Sequence, residues 1–347
     1  MIASFADTIR DAAAHRRGLR LRGGGTKDFY GHALRGEVVD TRGYAGIVDY
    51  EPTELVMTAR CGTRLAELEA TLERNGQCLP FEPPHFGEAA TVGGCVAAGL
   101  SGPRRAAAGA LRDFVLGVKL IDGRGETLDF GGRVMKNVAG YDVSRLVAGS
   151  LGTLGLIAEV SLKLGPKPHA EASVQLEAPQ PRALELMNRW AGQPLPLSAS
   201  AWHDGELTVR LSGSDAAVRA AAANIGGESV GGDLWKAVRE QHHSFFAGDE
   251  PLWRLSLPSN APPLELEGRC LIEWGGALRW LKSSASAQAV RDVAQRLKGH
   301  AVLFRAADKS AGCFAPLDPV LARVHRELKA AFDPAAIFNA GRMYPDL

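Results

Sequence analysis

Three dense glycine clusters, all before residue 160, constrain this chain more than any other feature. The first is Arg22-Gly23-Gly24-Gly25-Thr26-Lys27, directly after a short strand expected at Leu19–Arg22. Glycine takes positive φ and puts no Cβ between amide and ligand, so such a run forms a nest of N–H groups for anionic oxygens. Thr26 and Lys27 add a hydroxyl and a charge. In isolation the run fits a surface turn equally well. The second cluster is Thr91-Val92-Gly93-Gly94-Cys95-Val96-Ala97-Ala98-Gly99-Leu100-Ser101-Gly102. Its small residues fit either a large flat ligand against the backbone or close packing of helix on sheet. The third, Gly149-Ser150-Leu151-Gly152-Thr153-Leu154-Gly155-Leu156-Ile157, is a turn feeding a strand.

These clusters do not make a Rossmann nicotinamide site, which needs strand, G-x-G-x-x-G, helix, and an acidic residue about twenty positions on. Gly152 and Gly155 stand in the reverse order, after a helix-like segment and before a strand, and Gly123 and Gly125 sit in a hairpin. NAD is not expected as the primary cofactor.

Composition narrows the class further. Hydrophobic residues make up 46% and charged residues 23%, ordinary for a globular chain of 347 residues. The formal net charge of +1 gives no electrostatic case for nucleic acid or an acidic membrane surface. No apolar run approaches the ~20 residues of a membrane span, and no secretory leader is read at the start. Cys61, Cys78, Cys95, Cys270 and Cys313 are scattered and form no C-x-x-C, which argues against a disulfide framework, a zinc knuckle or an iron–sulfur cluster. No metal site is expected, and a reducing, cytoplasmic setting fits best.

The first half alternates short strands and helices. Ser4 with Asp7 reads as a helix start and Gly18 as its stop. Thr63 is placed to cap a helix carrying Leu65, Leu68 and Leu72 on one face, closed by Gly76. Strands are expected at 54–60, 114–121, 126–130 and 156–164. Pro166 and Pro168 mark a boundary. Beyond it, Asp204-Gly205 and Gly275-Gly276 each join two strand-like runs, with helices at 216–224 and 285–297 between, the pattern of an α+β unit with an antiparallel sheet. Asp318-Pro319 opens a final helix whose apolar face is Val320, Leu321, Val324, Leu328 and Phe332.

Taken together, the three clusters in this order resemble the FAD-binding domain of the vanillyl-alcohol oxidase / p-cresol methylhydroxylase family. Further runs are similar to the FAD-binding subunits of glycolate oxidases. They are Glu82-Pro83-Pro84-His85-Phe86-Gly87, Gly102-Pro103-Arg104-Arg105, Arg112–Gly117, Val134–Asp142, Ile272–Lys282 and Phe338–Tyr344. The resemblance covers essentially the whole chain. It implies an α+β fold: an FAD-binding domain of two subdomains over 1–168, an antiparallel-sheet cap over 169–315, and a C-terminal helix and loop over 316–347 returning to the FAD domain.

It also implies that Arg22, Gly23, Gly24, Gly25, Thr26 and Lys27 cradle the FAD pyrophosphate. Thr91, Gly93, Gly94, Ala97 and Gly102 would line the path toward the flavin. Gly152, Gly155, Leu156 and Ile157 would contact the adenosine half, and Pro84 and Asn339 complete the set. Lys136 to Asp142 would buttress the same wall. Relatives that attach FAD through histidine carry it where this chain has Thr26, and His32 comes six residues too late, so the FAD is expected to be non-covalent.

The implied activity is oxidation of the 2-hydroxy acid glycolate to glyoxylate, with electrons passed via flavin to a partner. The implied partners are a sister FAD-binding glycolate oxidase subunit and an iron–sulfur subunit, with any membrane association peripheral and through the complex. Catalytic relatives carry a His-x-Gly-Asp-Gly-Asn-like motif in the second half. Where it is sought, Gly299–Arg305 to Phe314, it is absent. That opens a second reading, a non-catalytic FAD-bearing scaffold or electron relay with the chemistry in the sister flavoprotein. A stand-alone flavin reductase of the cell-wall-precursor type lacks its expected serine and tyrosine–arginine features here. Hydroxy-acid oxidation needs a cation for the carboxylate and a base for the hydroxyl proton. Glu82, His85, Arg279 and Lys282 are candidates for those roles, and a structural role fits each better. His242-His243 suggests a metal pair, but neighbours on a helix point about 100° apart and no further ligands stand out. His325 in the final amphipathic helix is a packed or solvated side chain, and no catalytic residue is assigned.

Overall fold

The computed structural model describes residues 1–132 and 142–347. They fall into two compact units: residues 1–100, 110–166 and 316–347 form the first, and 101–109 with 167–315 the second. The cluster that begins at Thr91 is thereby divided, because Ser101–Gly109 groups with the second unit.

The first unit opens with a helix at Ile2–Ala14. It starts ahead of the Ser4 expected to begin it and ends at His15, three residues before Gly18. Phe5, Ile9 and Ala12 bury one face against Leu19, Val39, Ile121, Leu156 and Phe338, so strands distant in sequence share this helix's core. Leu19–Arg22 pairs in parallel with Glu37–Asp40. Among the described residues, five antiparallel strands form the main sheet in the order Ile47–Glu51, Val56–Arg60, Leu156–Lys163, Val115–Ile121, Thr127–Gly131. Leu156–Lys163 is buried on both faces except at Glu159 and Lys163, more enclosed than simple alternation implies. Helix Leu65–Glu73 buries Leu65, Leu68 and Leu72 as its spacing requires. Thr63 is not its cap: its hydroxyl donates to the Gly46 carbonyl at 3.1 Å.

The second unit is an eight-stranded antiparallel sheet. Strands Leu197–His203 and Glu206–Gly213 meet at Asp204-Gly205, where φ is 50° and 86°. Two positive φ values at the centre of a two-residue loop match the twist of the strands it joins. Arg269–Glu273 and Leu278–Lys282 are joined through a short 3-10 turn at Trp274–Gly276. Helices Gln180–Ala191, Asp215–Ile225 and Ala287–Arg296 add apolar faces, including Leu184, Met187, Trp190, Val218 and Val290.

The final helix, Pro319–Phe332, starts at Asp318, whose carboxylate accepts from Val320 N and Leu321 N. Its expected apolar face is not buried: Val320, Leu321 and Val324 are 62%, 49% and 40% exposed. The buried residue of this helix is Lys329. Its ammonium donates to the carbonyls of Thr153 and Phe338 and pairs with Asp333, each within 2.8 Å. Three fixed oxygens around one ammonium outweigh a stripe of apolar side chains in deciding which face turns inward. No helix of the described residues is long and apolar enough to cross a membrane.

Candidate functional site

The glycine clusters converge within the first unit on two adjoining recesses. The first, of about 530 Å3, is lined by Leu21–Gly23, Gly25–Asp28, Leu34, Thr91, Gly94, Ala97, Ala98, Leu151, Asn339 and Arg342. The second, of about 390 Å3, shares Leu21, Arg22, Gly23, Gly94, Ala97, Leu151 and Asn339 and extends past Gly93, Gly152, Gly155, Leu156 and Ile157 to Thr41 and Cys61. Fourteen of the seventeen expected site residues therefore lie on one continuous wall; Gly24, Pro84 and Gly102 line neither recess.

The strand Leu19–Arg22 delivers the first loop, in which Gly25 takes positive φ, 73°. The backbone N–H groups of Gly23, Gly24, Gly25 and Thr26 make no hydrogen bond within the described residues. Four consecutive unsatisfied donors beside a recess are costly unless water or an anion takes them. Arg22 turns toward Asp28, whose Oδ2 accepts from Arg22 Nε and Arg20 Nη2, each at 2.8 Å. Lys27 Nζ donates to the His85 carbonyl at 3.1 Å.

Two glycines show different reasons for lacking a side chain. A Cβ on Gly24 would overlap the carbonyl of Ala89, so Gly24 serves backbone packing and not the recess itself. A Cβ on Gly94, a residue that lines both recesses, would meet one neighbour, Thr91 Oγ1, at a tight 3.2 Å. Glycine inside a helix costs about 1 kcal/mol relative to alanine. At Gly94 one side-chain atom of the protein, the capping Thr91 Oγ1, stands close to where a Cβ would lie, with no backbone in the way.

Helix Val92–Ala98 carries Gly93, Gly94 and Ala97, capped by Thr91 Oγ1, which accepts from Gly94 N. The third cluster closes over its end: Gly149 N donates to Val96 O and Leu151 N to Ala97 O. Asn339 then ties three elements together. Its Oδ1 accepts from Leu21 N at 2.9 Å and its Nδ2 donates to Leu151 O at 2.6 Å. Asn339 thus shapes the wall, with its amide committed to backbone groups. Asp28, Arg342, Leu151 and Cys61 line the recesses without having been singled out in sequence. Burial pushes the Cys61 thiol up to about 12, so a reactive thiolate does not face the second recess. No histidine lines either recess, and His32 stands outside both.

The remaining candidates go elsewhere. Pro84 is buried on its loop, and the Gly102 carbonyl accepts the Trp274 indole N–H at 3.0 Å in the second unit. His85 Nε2 lies 3.1 Å from Glu69 Oε2. Arg279 is fully buried and donates to the carbonyls of Gly276, Pro262 and Ala261. Lys282, also buried, donates to the Ala247 carbonyl. Arg279 is thus held by three main-chain oxygens of its own unit, and Lys282 by one together with the Glu250 carboxylate 3.6 Å away. His243 stacks edge-on against His203, and burial lowers its pKa, as the neighbouring imidazole also does. His325 packs edge-on against Tyr344. Lys136–Tyr141 of the expected buttress lies outside the described residues, while Asp142 caps the short helix Val143–Leu146.

The family model of an FAD binding domain matches residues 2–131. The glycolate oxidase subunit GlcE of Escherichia coli K12 is 48% identical over 344 residues, spanning 99% of this chain and 97% of that protein. The glycolate oxidase subunit GlcD of Bacillus subtilis 168 is 32% identical over 128 residues, 37% of this chain and 27% of that one. Among solved structures, alkyldihydroxyacetonephosphate synthase superposes with a TM-score of 0.68 at 15% identity, covering 96% of this chain and 74% of that one; this likeness speaks to the fold alone. Near-complete coverage at 48% identity settles the family: this chain belongs to the GlcE subunits of glycolate oxidase.

Proposed function

We propose that this chain is the FAD-binding subunit of a glycolate oxidase complex, holding FAD non-covalently along the wall formed by the three glycine clusters. The observation that carries the reading is the pairing of four N–H groups at Gly23–Thr26, unpartnered among the described residues, with a recess lined by Gly23, Gly25, Thr26 and Gly94. The nest fits a pyrophosphate, with Lys27 adding a positive charge at its rim. Thr91, Gly93, Gly94 and Ala97 form the floor for the flat part of the ligand, and Gly152, Gly155, Leu156 and Ile157 a second wall for its other half. Bound FAD supplies the two-electron sink that oxidation of an alcohol to a carbonyl requires. This chain's residues bind and orient it, and Leu21, Leu151 and Leu156 shield it from water.

The complex would convert glycolate to glyoxylate, with a sister FAD-binding subunit and an iron–sulfur subunit as partners. The second reading, a flavin-bearing support with the chemistry in the sister subunit, is favoured by one observation. Arg279, a candidate clamp for the substrate carboxylate, already spends its donors on three main-chain carbonyls, and Lys282, another, is held by the Ala247 carbonyl and the Glu250 carboxylate. Acid precipitation of the purified chain tests the cofactor assignment. FAD in the supernatant is expected. Flavin retained in the pellet would overturn the non-covalent reading, and FMN in its place the pyrophosphate assignment.

A further inference from the structure

We propose that Arg342 is a positioning residue for the cofactor recess: it pins the C-terminal segment to the loop Arg22–His32 and holds the nest in its binding shape. The proposal rests on the FAD reading above. The segment enters where Phe338 bridges Leu19 in parallel and Asn339 N donates to Leu19 O at 2.9 Å. Arg342, 4% exposed, then reaches back across the loop. Its Nη1 donates to the His32 carbonyl, and its Nη2 to the carbonyls of Asp28 at 3.0 Å and Lys27 at 3.3 Å. The loop answers: His32 N donates to Arg342 O at 3.0 Å. Gly31, at φ +89°, permits this approach, since a Cβ there would lie 2.9 Å from that same oxygen.

The loop is therefore held from two sides, by Asp28 gripping Arg20 and Arg22, and by Arg342 gripping three of its carbonyls. Between these anchors, the amides of Gly23–Thr26 gain no hydrogen bond from staying concave. A nest without such a pin relaxes toward water, and a ligand must then reorder it on binding. The planar fork of a guanidinium spans several carbonyls at once, which the single ammonium of lysine does not. Geometry, and not charge, is the property Arg342 supplies.

Arg342→Lys keeps the charge and loses the fork, whereas Arg342→Ala loses both. Two measurements are made on the full chain: FAD release after dilution, followed by flavin fluorescence, and amide hydrogen exchange of the flavin-stripped protein. In both variants FAD should leave roughly tenfold faster, the scale of one lost charge-assisted hydrogen bond. Exchange should quicken at residues 28–32, while the strands 115–121 and 156–163 stay protected as in the parent. Arg323→Ala, on the exposed side of the final helix, should match the parent in both measurements. A lysine variant that behaves like the parent would make the role one of charge and overturn the proposal. So would equal acceleration across the sheet strands, which signals general destabilisation. If the alanine variant does not fold, the lysine variant decides alone. A purified chain without flavin would sink the FAD reading, yet exchange at residues 28–32 would still test the pin.

Discussion

Lys329 Nζ lies 2.7 Å from Asp333 Oδ2, and both groups are shut away from solvent at the C-terminal end of the final helix. The same Asp333 oxygen accepts from Phe338 N at 2.7 Å, and Oδ1 from Ile337 N at 3.1 Å. The pair thus joins the helix to the strand-like segment that carries Asn339 and to the turn at Thr153. Removing one member of a buried, hydrogen-bonded pair strands the other, at a cost of about 3–5 kcal/mol. Lys329→Met should lower unfolding stability in urea by that amount. A loss below about 1 kcal/mol, the range of exposed ion pairs, would mean the pair does not anchor the segment.

Gly94→Leu and Gly24→Val should both yield flavin-free protein, for different reasons. Leucine at 94 sits on the recess wall and its Cβ presses on a side-chain atom, Thr91 Oγ1, and not on backbone, so the melting temperature should fall less than in Gly24→Val. Valine at 24 collides with the Ala89 carbonyl and should unsettle the loop as well, lowering the melting temperature. The ratio of flavin to protein absorbance, read beside the thermal melt, separates the two. Full flavin content in Gly94→Leu would show that FAD lies elsewhere.

The isolated chain, loaded with FAD and mixed anaerobically with glycolate, should bleach very slowly or not at all. A flavin alone does not supply a carboxylate clamp or a base positioned for the hydroxyl proton. Turnover should appear when the sister flavoprotein and iron–sulfur subunit are added. Rapid bleaching of the isolated chain would place a complete active site within it.

The folded Cys61 thiol keeps its proton to about pH 12, against 9.0 for an ordinary thiol, because burial disfavours the thiolate. The folded value is the higher one. The stability gained by burying the neutral thiol is therefore complete below pH 9 and is lost as pH climbs toward 12. Across that window the parent should lose stability more steeply than Cys61→Ala, by up to about 1.4 kcal/mol per pH unit for one proton. Urea unfolding at a series of pH values reads this difference, and parallel curves would remove Cys61 from the account. Native-state alkylation at pH 8 should likewise be slow at Cys61 and at Cys95, whose thiol burial also pushes up to about 12.

Local sequence rules determined the parts of this protein whose physics is local. The Asp204-Gly205 turn, the Leu65–Leu68–Leu72 face and the paired strands around Asp122–Gly125 each follow from a few neighbouring residues. The glycine clusters marked the recess for a related reason: missing side chains leave a trace in composition wherever a backbone must come close to something. Tertiary structure alone decided how those clusters are used. A Cβ at Gly24 would run into the Ala89 backbone, whereas one at Gly94 would meet only the Thr91 hydroxyl beside the recess, a distinction that depends on which atoms lie opposite. It also turned the final helix so that Lys329 faces inward while Val320 and Leu321 face out, against the apolar periodicity. The oxygens that hold Lys329 come from Thr153, Asp333 and Phe338, and the carbonyls that hold Arg342 from a loop some 310 residues earlier. A residue's spacing on its own helix or strand carries no record of partners so distant. Their effect is nonetheless large, because a buried charge must find oxygen wherever the fold supplies it.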